Sequence, residues 1–199
     1  MTMALDDGSE IPDEALLVLY ANGDAAAARS LTLRLTPRVL SHATRLLGGD
    51  RAEAEDVAQE AMLRLWRIAP EWRQGEAKVS TWLFRVVSNL CTDRLRAQMR
   101  RRPVALDDAP ELPSAMSGVE VGMIEGDRMT ALNTALGQLP ERQRQAVVLR
   151  HIEGLSNPEI AVVMETGVEA VESLTARGKR ALAAILAGRR AELGYDEGE

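Results

Sequence analysis

The chain has 199 residues, enough for one domain or two small ones, and 46% of them are hydrophobic while only 3% are aromatic. That balance favours helices packed on helices over a sheet, where aromatic and β-branched residues would dominate. One cysteine excludes an internal disulfide, and His42 and His151 stand apart, so no zinc-like cluster is expected.

No apolar run approaches the roughly 20 residues that span a bilayer, and no signal peptide opens the chain; both favour a cytoplasmic protein. The net charge of −6 is unevenly spread. Fifteen acids lie in residues 1–14, 103–127 and 192–199 without a Lys or Arg among them, and the rest of the chain sets 24 basic residues against 15 acids, a balance of +9. Acidic ends can simply aid solubility, and the sum does not argue against a nucleic-acid partner.

In chain order, residues 1–11 read as a disordered tail. Pro12 to Ala21 predicts a short helix. Asp24 to Leu47 predicts a longer one, bent where Pro37 removes a donor, and Gly48-Gly49 ends it. Asp50 caps a helix to Ala69, with Glu53 at the capping-box position. Val57, Ala58, Ala61, Met62, Leu65, Trp66 and Ala69 keep the spacing of a buried face. Asp56, Gln59, Glu60, Leu63 and Arg67 lie opposite. Leu63 is either an ordinary exposed leucine or an anchor for a partner protein.

Pro70 to Ala77 is a loop. A helix from Ser80 to Arg100 has Leu83, Val86, Val87 and Leu90 as its core stripe. Its second stripe is Trp82, Arg85, Asn89, Asp93, Arg96 and Arg100, with Arg94, Arg101 and Arg102 adding charge. Such a face suits stacking on unpaired bases and neutralising phosphates. It equally fits a solvated face whose tryptophan covers core. Residues 103–126, with Pro103, Pro110, Pro113 and many acids, read as an acidic flexible linker. Asp127 opens a helix with Leu132, Ala135, Leu136 and Leu139. Pro140 starts the next at its first position, and Gly154 stops it.

Ser156, Pro158 and Glu159 make a capping-box start for a short helix carrying Ile160, Ala161 and Met164. Glu165-Thr166-Gly167 breaks it. A second helix sets Val171, Leu174, Gly178, Leu182 and Ile185 on one stripe, and Glu169, Glu172, Ser173, Ala176, Lys179 and Arg180 on the other. Helix, short turn, helix is the plan that places its second helix in a DNA major groove. Two helices of an ordinary bundle would show the same periodicity. An acidic tail covers 191–199.

Three stretches now carry a resemblance: Ala52 to Trp66, Ser80 to Leu90 with Asp93-Arg94-Leu95, and Leu139 to Leu149 continuing through Glu153-Gly-Leu-Ser156. In this order they resemble bacterial RNA polymerase sigma factors of the extracytoplasmic-function group. The resemblance implies an all-α chain of two small helical domains, region 2 over 12–102 and region 4 with its helix-turn-helix over 127–190. It implies core RNA polymerase contact through Asp56, Gln59, Glu60 and Leu63. It assigns the minus-ten strand of promoter DNA to Trp72, Arg73, Lys78, Trp82, Arg85, Asn89, Arg96 and Arg100, with Trp72 to Val79 as a pocket for a flipped-out base. The minus-thirty-five duplex falls to Ser156, Glu169, Glu172, Ser173, Ala176, Arg177, Lys179 and Arg180.

An anti-sigma factor is the implied regulator; no cofactor, metal, small-molecule substrate or membrane insertion is. Glu169 and Glu172 depart from the small and basic residues common at those places in the family, which leaves the promoter sequence open. The competing reading is a helix-turn-helix regulator with a sensing or dimerising first domain. Hydrolytic catalysis would need a nucleophile, base and orienting group in one pocket, and the isolated histidines and lone cysteine suggest none.

Overall fold

The computed structural model describes residues 11–73, 75, 78–101 and 120–187, with the backbone alone from 120 to 127. The tails at 1–10 and 188–199, and the linker from 102 to 119, lie outside the described residues. The helices are α1 Asp13–Ala21, α2 Ala25–Leu46, α3 Arg51–Ile68, α4 Val79–Arg101, α5 Glu120–Gly137, α6 Glu141–His151, α7 Asn157–Val163 and α8 Val168–Ala187. One 3-10 turn, Ala69–Glu71, follows α3.

Local chemistry sets several of these ends. Asp24 caps α2 by accepting from the N–H groups of Ala26 at 2.8 Å and Ala27 at 3.2 Å. Asp50 caps α3 by accepting from the N–H of Glu53 at 3.1 Å. The other half of that capping box is missing, because the Glu53 carboxylate turns to the Arg94 guanidinium on α4. Pro37 does not end α2: its ring and the Leu33 carbonyl it leaves unpaired share the exposed face, where water can serve. Residues 120–126, expected in the linker, are helical in α5; no proline lies between Pro113 and Pro140 to stop them.

The apolar stripes pack largely as their spacing predicts. Leu31, Leu35, Val39, Val57, Ala61, Leu65, Leu83 and Val87 are buried in one cluster built by α1 to α4. The same cluster takes in Leu136, Leu139, Val147 and Val148 from α5, the turn after it and α6. A second cluster joins Ala146, Leu149, Leu155, Ile160, Val163, Met164 and Val171, and its largest member is Phe84 of α4, only 2% exposed. The two halves of the chain therefore interpenetrate. Gly48 and Gly137 meet between them: a Cβ added to Gly137 would lie 3.2 Å from the Gly48 Cα.

Cys91 is buried where α4 faces α6, and burial pushes its thiol up to about 12, so it stays protonated and inert at neutral pH. Gly178 has a clear packing role. A Cβ there would lie 2.6 Å from Val147 Cγ2 and 2.9 Å from the Gln143 carbonyl oxygen, so α6 and α8 meet at this glycine. Alanine would add about 1 kcal/mol of helix propensity, but overlap with a stiff side chain and a backbone oxygen outweighs it. Gly178→Ala should lower the melting temperature by a few degrees in a circular-dichroism scan, and a rise would remove the glycine from the packing argument.

Candidate nucleic-acid interface

Three exposed faces emerge, on α3, α4 and α8. On α3, Asp56, Gln59 and Leu63 are exposed, and Glu60 is half-buried. Leu63 is 43% exposed. The Glu60 carboxylate accepts from Arg64 Nε at 2.8 Å, which holds its carboxyl below the usual range. Asp56 lies 3.5 Å from Arg94. Beside Leu63 runs a groove of about 330 Å³ lined by Thr36, Leu40, Glu55, Ala58, Gln59, Met62, Leu63 and Trp66. The α2 side of this groove, Thr36 and Leu40, escaped the sequence reading, because the spacing within one helix does not tell which neighbour flanks it.

On α4, Arg85, Asn89, Asp93, Arg96 and Arg100 are exposed along one stripe. Trp82 is half-buried: its ring meets that of Trp72 edge to face, with centroids 6.2 Å apart, and both pack on the core. Of the loop before α4, Trp72, Arg73, Gly75 and Lys78 are described; Gln74, Glu76 and Ala77 lie outside the described residues, and with them part of the expected pocket. The backbone enters α4 under a clamp from α1, as the Glu14 carboxylate accepts from the Val79 N–H at 2.9 Å.

The helix-turn-helix is built as its signature promises. The Ser156 hydroxyl and N–H both donate to Glu159 Oε2, at 2.7 and 2.9 Å. In return the Glu159 N–H points to Ser156 Oγ, which completes the capping box. The turn's left-handed residue is Glu165, at φ +49°, two positions before Gly167. On α8, Glu169, Glu172, Ser173, Ala176, Arg177, Lys179 and Arg180 are all exposed, while Val171 and Gly178 are buried. Glu172 Oε1 accepts from Asn157 Nδ2 at 3.2 Å, which ties the outward acid of α8 to the start of α7.

The α4 face does not stand clear of the helix-turn-helix. Lys78 Nζ lies 2.8 Å from Glu159 Oε1, and Arg85 Nε lies 3.0 Å from Glu165 Oε1. Lys78, with the Ser156 N–H and hydroxyl, holds the Glu159 carboxyl down to about 2. A carboxyl held below its ordinary 4.5 gives its stabilisation in full above that pH and loses it as pH falls toward 2, so the contact is complete at neutrality.

Deeper in, His42 is fully buried, with Nδ1 3.3 Å from Glu153 Oε1 and its ring against Phe84 at 4.8 Å between centroids. Burial lowers its pKa and keeps it neutral, with Glu153 pulling the other way. Arg45 adds its guanidinium 3.7 Å from the same carboxylate. Among the described residues no group of His, Cys, Asp and Glu could hold a metal ion, and no helix is long and apolar enough to cross a membrane.

Comparison with known proteins adds the following. Residues 31–101 match the family described as Sigma-70 region 2, and residues 129–182 match Sigma-70, region 4. The chain is 33% identical over 178 residues to the RNA polymerase sigma-H factor of Pseudomonas aeruginosa, covering 85% of this chain and 91% of that one. It is 32% identical over 181 residues to the ECF RNA polymerase sigma-E factor of Escherichia coli K12, covering 87% and 93%. Among solved structures, CnrH in complex with the cytosolic domain of CnrY superposes with a TM-score of 0.64 at 25% identity, covering 88% of this chain and 97% of that one. The sigma factor RpoE of Bartonella quintana, solved with the anti-sigma factor NepR, shares the fold at a TM-score of 0.61 and 20% identity, covering 80% and 96%.

Ser156 serves two partners at once, the α7 backbone and Glu159. Ser156→Ala should cost about 1 kcal/mol, read as a lower urea midpoint with an unchanged slope; an unaltered midpoint would mean the box adds nothing.

Proposed function

The chain belongs to the sigma-70 family, in its extracytoplasmic-function group of RNA polymerase sigma factors, and from that premise we propose how its three exposed faces divide the work. The protein is a promoter-specificity subunit that directs core polymerase to minus-ten and minus-thirty-five elements. A regulator with a sensing first domain gives way, since that first domain is sigma region 2. Sigma factors act in transcription initiation; the finer reading is that this chain carries no catalysis of its own and works in the cytoplasm, where polymerase and promoter meet.

The α3 face takes core polymerase. An exposed leucine beside an apolar groove, bordered by Asp56, Gln59 and Glu60, offers what a protein contact needs: a buried anchor within a polar rim. That juxtaposition is the observation that carries the reading. Arg85, Asn89, Arg96 and Arg100 of α4 line the opened non-template strand, with Arg73 and Lys78 beside the loop pocket. The cations neutralise phosphate, and the amide can hydrogen-bond to a base edge. Trp72 and Trp82 brace that face from behind, their half-buried rings being committed to each other.

The outward side of α8 reads the upstream duplex. Arg177, Lys179 and Arg180 serve phosphates and guanines, and the acids Glu169 and Glu172 can accept from a cytosine amino group. Ser156, Ala176 and Ser173 complete the close approach. We further assign an anti-sigma factor as the controlling partner; the likeness to CnrH, solved bound to the cytosolic domain of CnrY, supports a protein regulator of this kind.

Reconstituted run-off transcription with core polymerase tests the whole reading: transcripts should require both, and their absence on a genomic template pool would end it. Leu63→Asp should weaken core binding about tenfold, the scale of one lost hot-spot anchor, with the circular-dichroism spectrum unchanged. Unchanged affinity would take the α3 face out of the contact. Replacing Arg85 and Asn89 by Ala should cut promoter opening, read by permanganate reactivity, severalfold more than it cuts closed-complex formation. Equal effects on both steps would move the strand away from α4.

A further inference from the structure

Two acids stand on the outward side of α8 near its start, and only one of them is held. Asn157, the first residue of α7, donates from Nδ2 to Glu172 Oε1 at 3.2 Å. A carboxylate can only accept, so the chemistry of the pair fixes which way the Asn157 amide faces. Glu169, one turn earlier on α8, has no partner among the described residues. The surface beside Glu172 is cleared for an approach, since Ser173 and Ala176 are small and exposed. The cations come later along the helix. Arg177 Nε and Arg180 Nε donate back to the carbonyl oxygens of Ser173 at 3.3 Å and Ala176 at 3.4 Å, with Lys179 between them in the chain.

A carboxylate facing base edges discriminates by what it refuses. Guanine presents two acceptors in the major groove and thymine an acceptor beside a methyl group, so neither gives an acid a proton to share. Adenine offers its amino group with the N7 acceptor next to it, which would face the second carboxylate oxygen. Cytosine offers a donor with no acceptor of its own beside it. Asn157 takes one lone pair of Oε1, and Oε2 is left to accept that amino hydrogen. Holding the side chain before DNA arrives also removes rotamer freedom that Glu169 would still lose on binding.

We propose, resting on the assignment of α8 to the upstream duplex, that Glu172 selects a cytosine at one position of the minus-thirty-five element and that Asn157 is its positioning residue. Reading is thereby shared between both helices of the motif: α8 carries the accepting group, and α7 sets where it points. Glu169 adds charge without choice of base.

The test is selection by the full chain assembled with core polymerase, on a promoter recovered in the run-off assay whose upstream element has been randomised. Base frequencies in the bound duplexes are counted by sequencing. The unaltered protein should enrich cytosine at one position about tenfold, the scale of discrimination at one base pair. Glu172→Gln keeps the size and swaps an acceptor for a donor, so that excess should vanish and adenine should gain at the same position. Asn157→Ala should cut the excess severalfold there and leave the other positions as they were. Glu169→Gln should leave the whole profile intact.

A mere brace between α7 and α8 would behave otherwise. Asn157→Ala would then weaken binding to all duplexes alike with base frequencies unchanged, and that result overturns the positioning role. Cytosine that survives Glu172→Gln, or that is lost with Glu169→Gln, overturns the selection; this decides the matter even if Asn157→Ala fails to fold. The unaltered protein decides the α8 assignment separately. No preference anywhere in the randomised element removes that assignment, whereas preferences indifferent to Glu172 and Asn157 remove only the pair.

Discussion

Phe84 is carried by a helix of the first domain and buried by side chains of the second, and the rest of the arrangement depends on that trespass. Its neighbours on α4, Leu83 and Val87, turn into their own domain's core. Burying such a ring is worth about 1.5 to 3 kcal/mol, and it adds to the contacts that Leu136, Leu139, Val147 and Val148 make with the first half in the other cluster. Around it the polar contacts fall into place. The His42 ring and the Arg38 guanidinium both lie against it, and Glu153 sits beside His42 and Arg45. Remove the ring, and the Lys78 and Arg85 pairs, both partly in water, would hold little alone.

The same contact sets how the chain's charge is used. A negative protein has to meet polyanionic DNA, and it does so by segregating its signs. Basic residues gather on α4 and α8, acids on the outward side of α3 and along the α7 edge that faces α4. The α3 acids suit a protein surface, whereas those at 159 and 165 pair with Lys78 and Arg85 across the seam between the halves. Short-range pairing of this kind is screened by salt far less than the long-range repulsion between the whole chain and DNA.

Much of this fold is written locally. Asp24, Asp50 and Ser156 mark helix starts because each has a side-chain oxygen at the place where free N–H groups need one. The stripes of α3 and α8 show their buried faces through spacing alone. What spacing could not reveal was partnership across the chain. Phe84 reads as one more core residue of α4, Glu53 as a capping-box acid, and His42 as an isolated ring; their partners lie far away in sequence. The exposed stripe of α4 was legible as a basic face, but Trp82 belongs half to the core, and neither Glu159 nor Glu165 signals in sequence that it reaches Lys78 or Arg85. The left-handed residue of the turn is Glu165, a position that composition does not mark.

The glycine pair at the seam has a wider consequence. Gly48 sits at φ +68° and its Cα faces Gly137, so neither position leaves room for a side chain without moving the other backbone. Sequence change in one half is thereby tied to the other, and Gly48 with Gly137, His42 with Glu153, and Phe84 with its socket would have to be inherited as matched sets. Hybrid proteins that splice the front half of one relative to the back half of another would then keep each half's own recognition chemistry while losing the resting arrangement between them.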